Sequence, residues 1–151
     1  MYGKIKYFQG DGPASLAMFE RALTLDPRLP DSHYYYAVVL KAMGKSRNAD
    51  QEFQQATMLG YRAKNVVEAT QLGDYLADRK DYEKALQYYQ QAIGLSPNDP
   101  DAYLKKGLIY ILMKDIESAK PYFEKVLELV PDLKESESYE QYRPYFESVG
   151  L

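Results

Sequence analysis

Four stretches of this chain, "SLAMFERALTLDP", "ADQEFQQATMLGY", "ALQYYQQAIGLSP" and "AKPYFEKVLELVP", repeat one pattern. Each begins with a small residue (Ser15, Ala49, Ala85, Ala119) and has an aromatic residue four positions on (Phe19, Phe53, Tyr89, Phe123). An alanine or valine follows three positions later (Ala22, Ala56, Ala92, Val126). Offsets of four and seven place the three columns on one face of a helix. The first column recurs at intervals of 34, 36 and 34 residues. A period of that size means stacked copies of one small unit, none of which buries its apolar face alone. Three of the four stretches end at a proline, Pro27, Pro97 or Pro131, where a helix stops.

A second helix precedes each of these. Its mark is a small residue twelve positions before the first column: Gly3, Ala37, Gly73 and Gly107. Glycine inside a helix costs about 1 kcal/mol relative to alanine, so the column implies a close approach between the backbones of paired helices. The turns between the two helices, "QGDGPA", "GKSRNA", "RKDYEKA" and "MKDIESA", are short and polar. Three of them carry an aspartate, Asp11, Asp81 or Asp115, fit to cap the second helix.

These columns resemble the tetratricopeptide repeat family. In the third unit the matching residues are Leu72, Gly73, Leu76, Ala85, Tyr89, Ala92 and Pro97, and "DYEKALQYYQQAIGLSPNDPDAYLKKGLIY" is the best continuous match. The resemblance covers roughly residues 1–133. It implies an all-α, right-handed superhelical solenoid of helix-turn-helix repeats forming one domain over 1–151. The truncated first repeat takes 1–29, the second 30–65, the third 66–99, the fourth 100–133 and a C-terminal cap 134–151. It implies a scaffold or adaptor for protein–protein interaction, because the family serves diverse partners.

Departures from the pattern carry their own expectations. "YFQG" at positions 7–10 looks like a cleaved-tag remnant, but Gly10-Asp11 falls where later repeats have Lys80-Asp81 and Lys114-Asp115. The stretch therefore reads as an inter-helix turn. Only nine residues, Met1 to Gln9, remain for the first helix of that repeat, which suggests a piece of a larger repeat protein or a short first helix. The second repeat has Gly60-Tyr61 where the others have proline, and two extra residues follow in "GYRAKN", so the joint after it is longer. After Pro131 the tail reads as one capping helix, bent or ended by Pro144.

Composition narrows the chemistry. The net charge of −3 gives no footprint for nucleic acid. No apolar run approaches the ~18 residues of a membrane span, so no membrane partner is expected. The chain has no cysteine and one histidine, His33. Thiolate chemistry is excluded, and no metal or cofactor is expected. The lack of cysteine fits a cytoplasmic location. No Ser-His-Asp set or phosphate loop is present, and the chain reads as a non-enzyme. Asp99 and Asp101 read as helix-start acids, and His33 as a packing residue.

In the family the first helices line a concave groove. The resemblance places Tyr7, Tyr34, Val38, Lys41, Thr70, Asp74, Leu104, Leu108 and Ile111 there. Tyr36 and Tyr89 are expected inward, with Tyr7 and Tyr34 available to a ligand. The chaperone-tail clamp of one subclass is disfavoured, because its column here reads Lys4, Val38, Asp74 and Leu108. "AYLKKGLIYILM" is apolar nearly all round, and Leu104, Leu108 and Ile111 form a stripe apart from the buried one. Left in water, each would forgo roughly 1.5–3 kcal/mol of burial. Three coverings are open: the chain's own tail, a second copy, or a docked peptide or helix with this stripe as its anchor. Two further readings stand beside the adaptor: the repeat region of a larger enzyme that recruits its substrate, and a self-assembling module.

Overall fold

Each hairpin is punctuated by its turn. In the computed structural model, which describes residues 11–151, the helices are α1 (Gly12–Leu25), α2 (Pro30–Ala42), α3 (Ser46–Met58), α4 (Val66–Asp78), α5 (Tyr82–Leu95), α6 (Pro100–Leu112) and α7 (Ile116–Leu129). Two 3-10 turns, Pro131–Glu135 and Glu137–Tyr139, and a short α8 (Arg143–Ser148) complete the chain. Among the described residues every regular element is helical, and no helix is long and apolar enough to cross a membrane. The readings placed on Gly3, Lys4, Tyr7, Phe8 and the whole of "YFQG" lie outside the described residues.

The three aspartates cap as expected. The N–H of Ala14 donates to Asp11 Oδ1 at 3.0 Å, that of Lys84 to Asp81 at 3.4 Å and that of Ser118 to Asp115 at 3.1 Å. Each satisfies one of the donors that a helix start leaves without an intrahelical partner. The preceding helices α2, α4 and α6 close alike. Gly44, Lys80 and Lys114 take φ of 75°, 62° and 63°. The next N–H then returns five residues back, Lys45 to Leu40, Asp81 to Leu76 and Asp115 to Tyr110, at 2.9–3.0 Å. This left-handed closure satisfies orphan carbonyls and turns the chain into the partner helix.

The described residues fall into two compact units that divide after Arg62. In the first, α1 and α3 pack on α2. Gly60 (φ 75°) ends α3 with the same left-handed device, and the Tyr61 N–H donates to the Ala56 carbonyl at 2.9 Å. That closure sends Tyr61 back into the core, where its ring stacks on Tyr34 with centroids 4.3 Å apart. Tyr34 also meets Phe53 at 5.7 Å and Tyr35 at 5.1 Å. The tyrosine triplet is thus the reverse of the sequence expectation. Tyr34 is 2% exposed and unavailable to a ligand. Tyr36, expected in the core, is half-buried and donates its hydroxyl to Glu20 of α1 at 2.8 Å. The cause is Tyr61, which lies outside the repeated columns and supplies a buried partner for Tyr34. His33 is buried, with Nδ1 2.6 Å from a Glu52 carboxylate oxygen and Nε2 2.9 Å from the Pro27 carbonyl, so it ties the hairpin together.

The second unit runs from Ala63 to Leu151 and stacks α4–α5 and α6–α7, joined where α5 meets α6. Its start is fixed reciprocally: Asn65 Oδ1 accepts from the Glu68 N–H (2.9 Å), and Glu68 Oε2 accepts from the Lys64 N–H (2.8 Å). The glycine column serves rings rather than a bare backbone contact. A Cβ on Gly73 would lie 2.4 Å from the Tyr89 ring, and one on Gly107 3.1 Å from the Phe123 ring. Each glycine is the floor on which the next helix's aromatic column rests.

The tail departs from the single capping helix. Pro144 sits in the first turn of α8, where its fixed φ and missing N–H cost nothing, so it starts the helix rather than bending or ending it. Tyr139, Phe146 and Val149 are buried with Leu104, Ala119, Phe123 and Val126. Phe146 meets Phe123 edge-on at 4.8 Å. Leu108 and Ile111, half-buried, pack against the same cluster. Of the three coverings open for the apolar stripe, the chain's own tail takes most of it.

Candidate functional site

The second unit contains a recess of about 300 Å³ along α6, bounded by α4, α5 and the tail. Its α6 wall is made by Asp101, Lys105, Leu108 and Leu112, which lie at offsets of four, three and four and so share one face. Asp74 of α4 and Tyr89 of α5 form the polar side, and Tyr142 of the tail closes the apolar one.

Three helices meet at Asp74. The Tyr89 hydroxyl donates to its Oδ1 at 2.7 Å, and the Lys105 ammonium donates to Oδ1 at 2.8 Å and Oδ2 at 2.6 Å. Lys105 also stands 3.9 Å from Asp101 one turn back. Burial, then the Asp74 hydrogen bond, then the charges of Asp74, Asp101 and Asp78, hold the Tyr89 hydroxyl far above the ordinary tyrosine range. The hydroxyl serves as a donor to Asp74 and keeps that carboxylate oriented. Partial burial pushes the Asp101 carboxyl up; Lys105 pulls it back down, while Asp99 and Asp74 add to the rise. Among the described residues, the only ion-pair contact of Asp101 is the long one to Lys105. Lys106, the next residue on α6, faces elsewhere: its ammonium donates to Gln90 Oε1 at 2.5 Å and lies over the Tyr122 ring. Its pKa is lowered by burial.

Of the residues assigned to a groove from sequence, Asp74, Leu104 and Leu108 line this recess together. Ile111 packs into the tail cluster instead. Thr70 is half-buried and donates to the Val66 carbonyl of its own helix at 2.9 Å. Val38 is half-buried and Lys41 exposed on α2 of the first unit; Tyr34 is buried there, and Tyr7 lies outside the described residues. Sequence reasoning missed Lys105 and Tyr89 as parts of this recess. A lysine three residues short of one full period after Asp74 is the only signal that pointed to the ion pair. Among the described residues no group of three acidic or histidine side chains is placed to hold a metal.

Residues 73–113 match a family model described as TPR repeat, and residues 100–133 one described as tetratricopeptide repeat. The chain is 31% identical over 123 residues to the type IV pilus assembly protein PilF of Pseudomonas aeruginosa, covering 80% of this chain and 48% of that one. It is 30% identical over 118 residues to anaphase-promoting complex subunit 3 of Schizosaccharomyces pombe, covering 78% of this chain and 17% of that one. This chain thus spans less than half the length of either relative. Among solved structures, YrrB, described as a TPR protein with an unusual peptide-binding site, superposes with a TM-score of 0.66 at 22% identity, over 99% of this chain and 78% of that one.

Proposed function

We propose that this chain, which belongs to the tetratricopeptide repeat family, is an interaction module that accepts a segment of a protein partner at the recess along α6. Family membership supports the interaction role. So do the relatives' descriptions: an assembly protein, a subunit of a complex and a protein with a peptide-binding site. The observation that carries the site is Leu112. It is 56% exposed beside half-buried Leu108, at the apolar end of a recess that the tail bounds without filling. An apolar side chain of the partner entering there would bury both leucines, each worth roughly 1.5–3 kcal/mol when fully covered. The opposite side is already fixed by the Asp74, Tyr89 and Lys105 tie, so little order remains to be imposed on binding. The reading rests on α6 and gives Val38, Lys41 and Thr70 no part. No step of catalysis is involved.

Leu112→Asp tests it, because Leu112 is a surface residue whose replacement leaves the core untouched. Peptides selected from a random displayed library on the native protein are expected to lose at least about tenfold in affinity for the variant, ~1.4 kcal/mol. Unchanged affinities would move the site elsewhere. Sedimentation velocity on both proteins adds a second arm: a native dimer that Leu112→Asp dissociates would make a second copy the occupant.

A further inference from the structure

We infer that the segment this recess takes carries a basic side chain about 10 Å from an aliphatic one, so that the partner is a cationic, extended peptide rather than an acidic tail. The inference rests on the recess reading above and adds the chemistry of its occupant.

The α6 wall changes character along one face. It begins at Asp101, passes Lys105 and ends at Leu108 and Leu112. Asp101 and Leu108 are seven residues apart, so at a rise of 1.5 Å per residue they are separated by about 10 Å. At the polar end the charges do not balance. Asp74 and Asp101 line the recess, with Lys105 as the one cation in its lining. Asp74 takes both of the short contacts of that ammonium, and Asp101 is left at 3.9 Å. Two further carboxylates lie within electrostatic reach, Asp78 acting on Tyr89 and Asp99 on Asp101. Lys106 offers no relief, since it is turned to Gln90 and Tyr122. Asp74, Asp99 and Asp101 against one ammonium leave this end anionic. A guanidinium or ammonium brought to Asp101 would supply the missing charge, whereas an anionic peptide would meet repulsion.

The apolar end fixes the second requirement. An extended segment in the polyproline II conformation rises about 3.1 Å per residue and returns to the same side every third residue. A basic residue three positions from a leucine then spans the distance from Asp101 to Leu108.

The test uses capped synthetic peptides in which arginine, serine or glutamate stands three residues from a leucine, in both orders, with fluorescence anisotropy as the readout. In low salt the arginine peptide is expected to bind at least about tenfold more tightly than the glutamate one, with serine between. Raising the salt shrinks that difference, because the contact lies at the solvent-facing rim. Asp101→Lys removes the preference without abolishing binding, and circular dichroism verifies that the variant stays helical. If arginine and glutamate peptides bind equally and Leu112→Asp weakens both, the recess reading survives and the charge inference fails. If a tighter glutamate peptide is found, the inference is reversed. If no peptide binds, or binding ignores Leu112→Asp, both readings fall together.

Discussion

Lys80 and Lys114 hold a backbone conformation that suits glycine. Their φ values of 62° and 63° are matched at the equivalent turn of the first unit by Gly44 at 75°. For a residue with a Cβ the left-handed region costs roughly 1–2 kcal/mol through contact with the following carbonyl. Glycine escapes that cost but loses more freedom on folding, about 0.5–1 kcal/mol. The difference favours glycine, so Lys114→Gly is expected to stabilise the protein by about 0.5–1 kcal/mol. Lys80→Gly should do the same at the other turn. Urea unfolding monitored by circular dichroism measures it. A lower midpoint would mean that the lysine side chains supply contacts worth more than the strain. The same residues show why the turns were legible at only one position. Aspartate at the cap is chosen by a hydrogen bond that any sequence reader can anticipate. The lysine before it is tolerated by the fold and signals nothing.

The two glycines of the second unit separate packing from propensity. Alanine is the better helix former by about 1 kcal/mol, so on local grounds both Gly73→Ala and Gly107→Ala should stabilise α4 and α6. A Cβ at Gly73 would lie 2.4 Å from the Tyr89 ring, which is buried and held at its hydroxyl by Asp74. The ring cannot swing away without breaking that bond. Gly73→Ala is therefore expected to destabilise by about 1–3 kcal/mol, the range for overpacking a filled core. At Gly107 the gap to Phe123 is 3.1 Å and the ring has no polar tether, so Gly107→Ala should come out near neutral. Equal losses in thermal melts of the two variants would make the tether irrelevant. The repeated columns were readable because helical spacing and a 34-residue period reinforce each other over four copies. The tail was not, because two 3-10 turns and a six-residue helix carry no period for a pattern to reveal. Tyr34 was misplaced for a related reason: its partner Tyr61 arrives from the irregular joint, outside every column. The recess was half readable. Asp74 and Leu108 face it as first-helix positions should, while Lys105 enters through an ion pair between α4 and α6 that only the stacked repeats create.

A stack of repeats is held together by neighbours, so damage at one end should stay near that end. The tail makes the second unit a direct test. Phe146 is fully buried and packs edge-on to Phe123, with Tyr139 and Val149 beside it and Leu104 in the same cluster. Truncating a buried phenylalanine costs about 3–5 kcal/mol through lost transfer energy and the cavity left behind. That is a large part of the 5–15 kcal/mol by which a domain is usually stable. In Phe146→Ala, amide hydrogen exchange followed by mass spectrometry should show α6, α7 and the tail losing protection first, since these bear the cluster. Within the same unit α4 and α5 are expected to keep more of theirs, because none of their residues belongs to the tail cluster. Uniform loss across Ala63–Leu151 would instead mean that the unit unfolds as one cooperative body. The variant also exposes the relation between cap and site. The tail supplies Tyr142 to the recess and covers Leu104, Leu108 and Ile111. Loosening it should therefore raise the binding of a nonspecific apolar dye while lowering affinity for peptides selected on the native protein. If both rise together, the tail competes with the peptide for the apolar stripe; if peptide affinity falls while dye binding rises, the tail is a wall that the site needs.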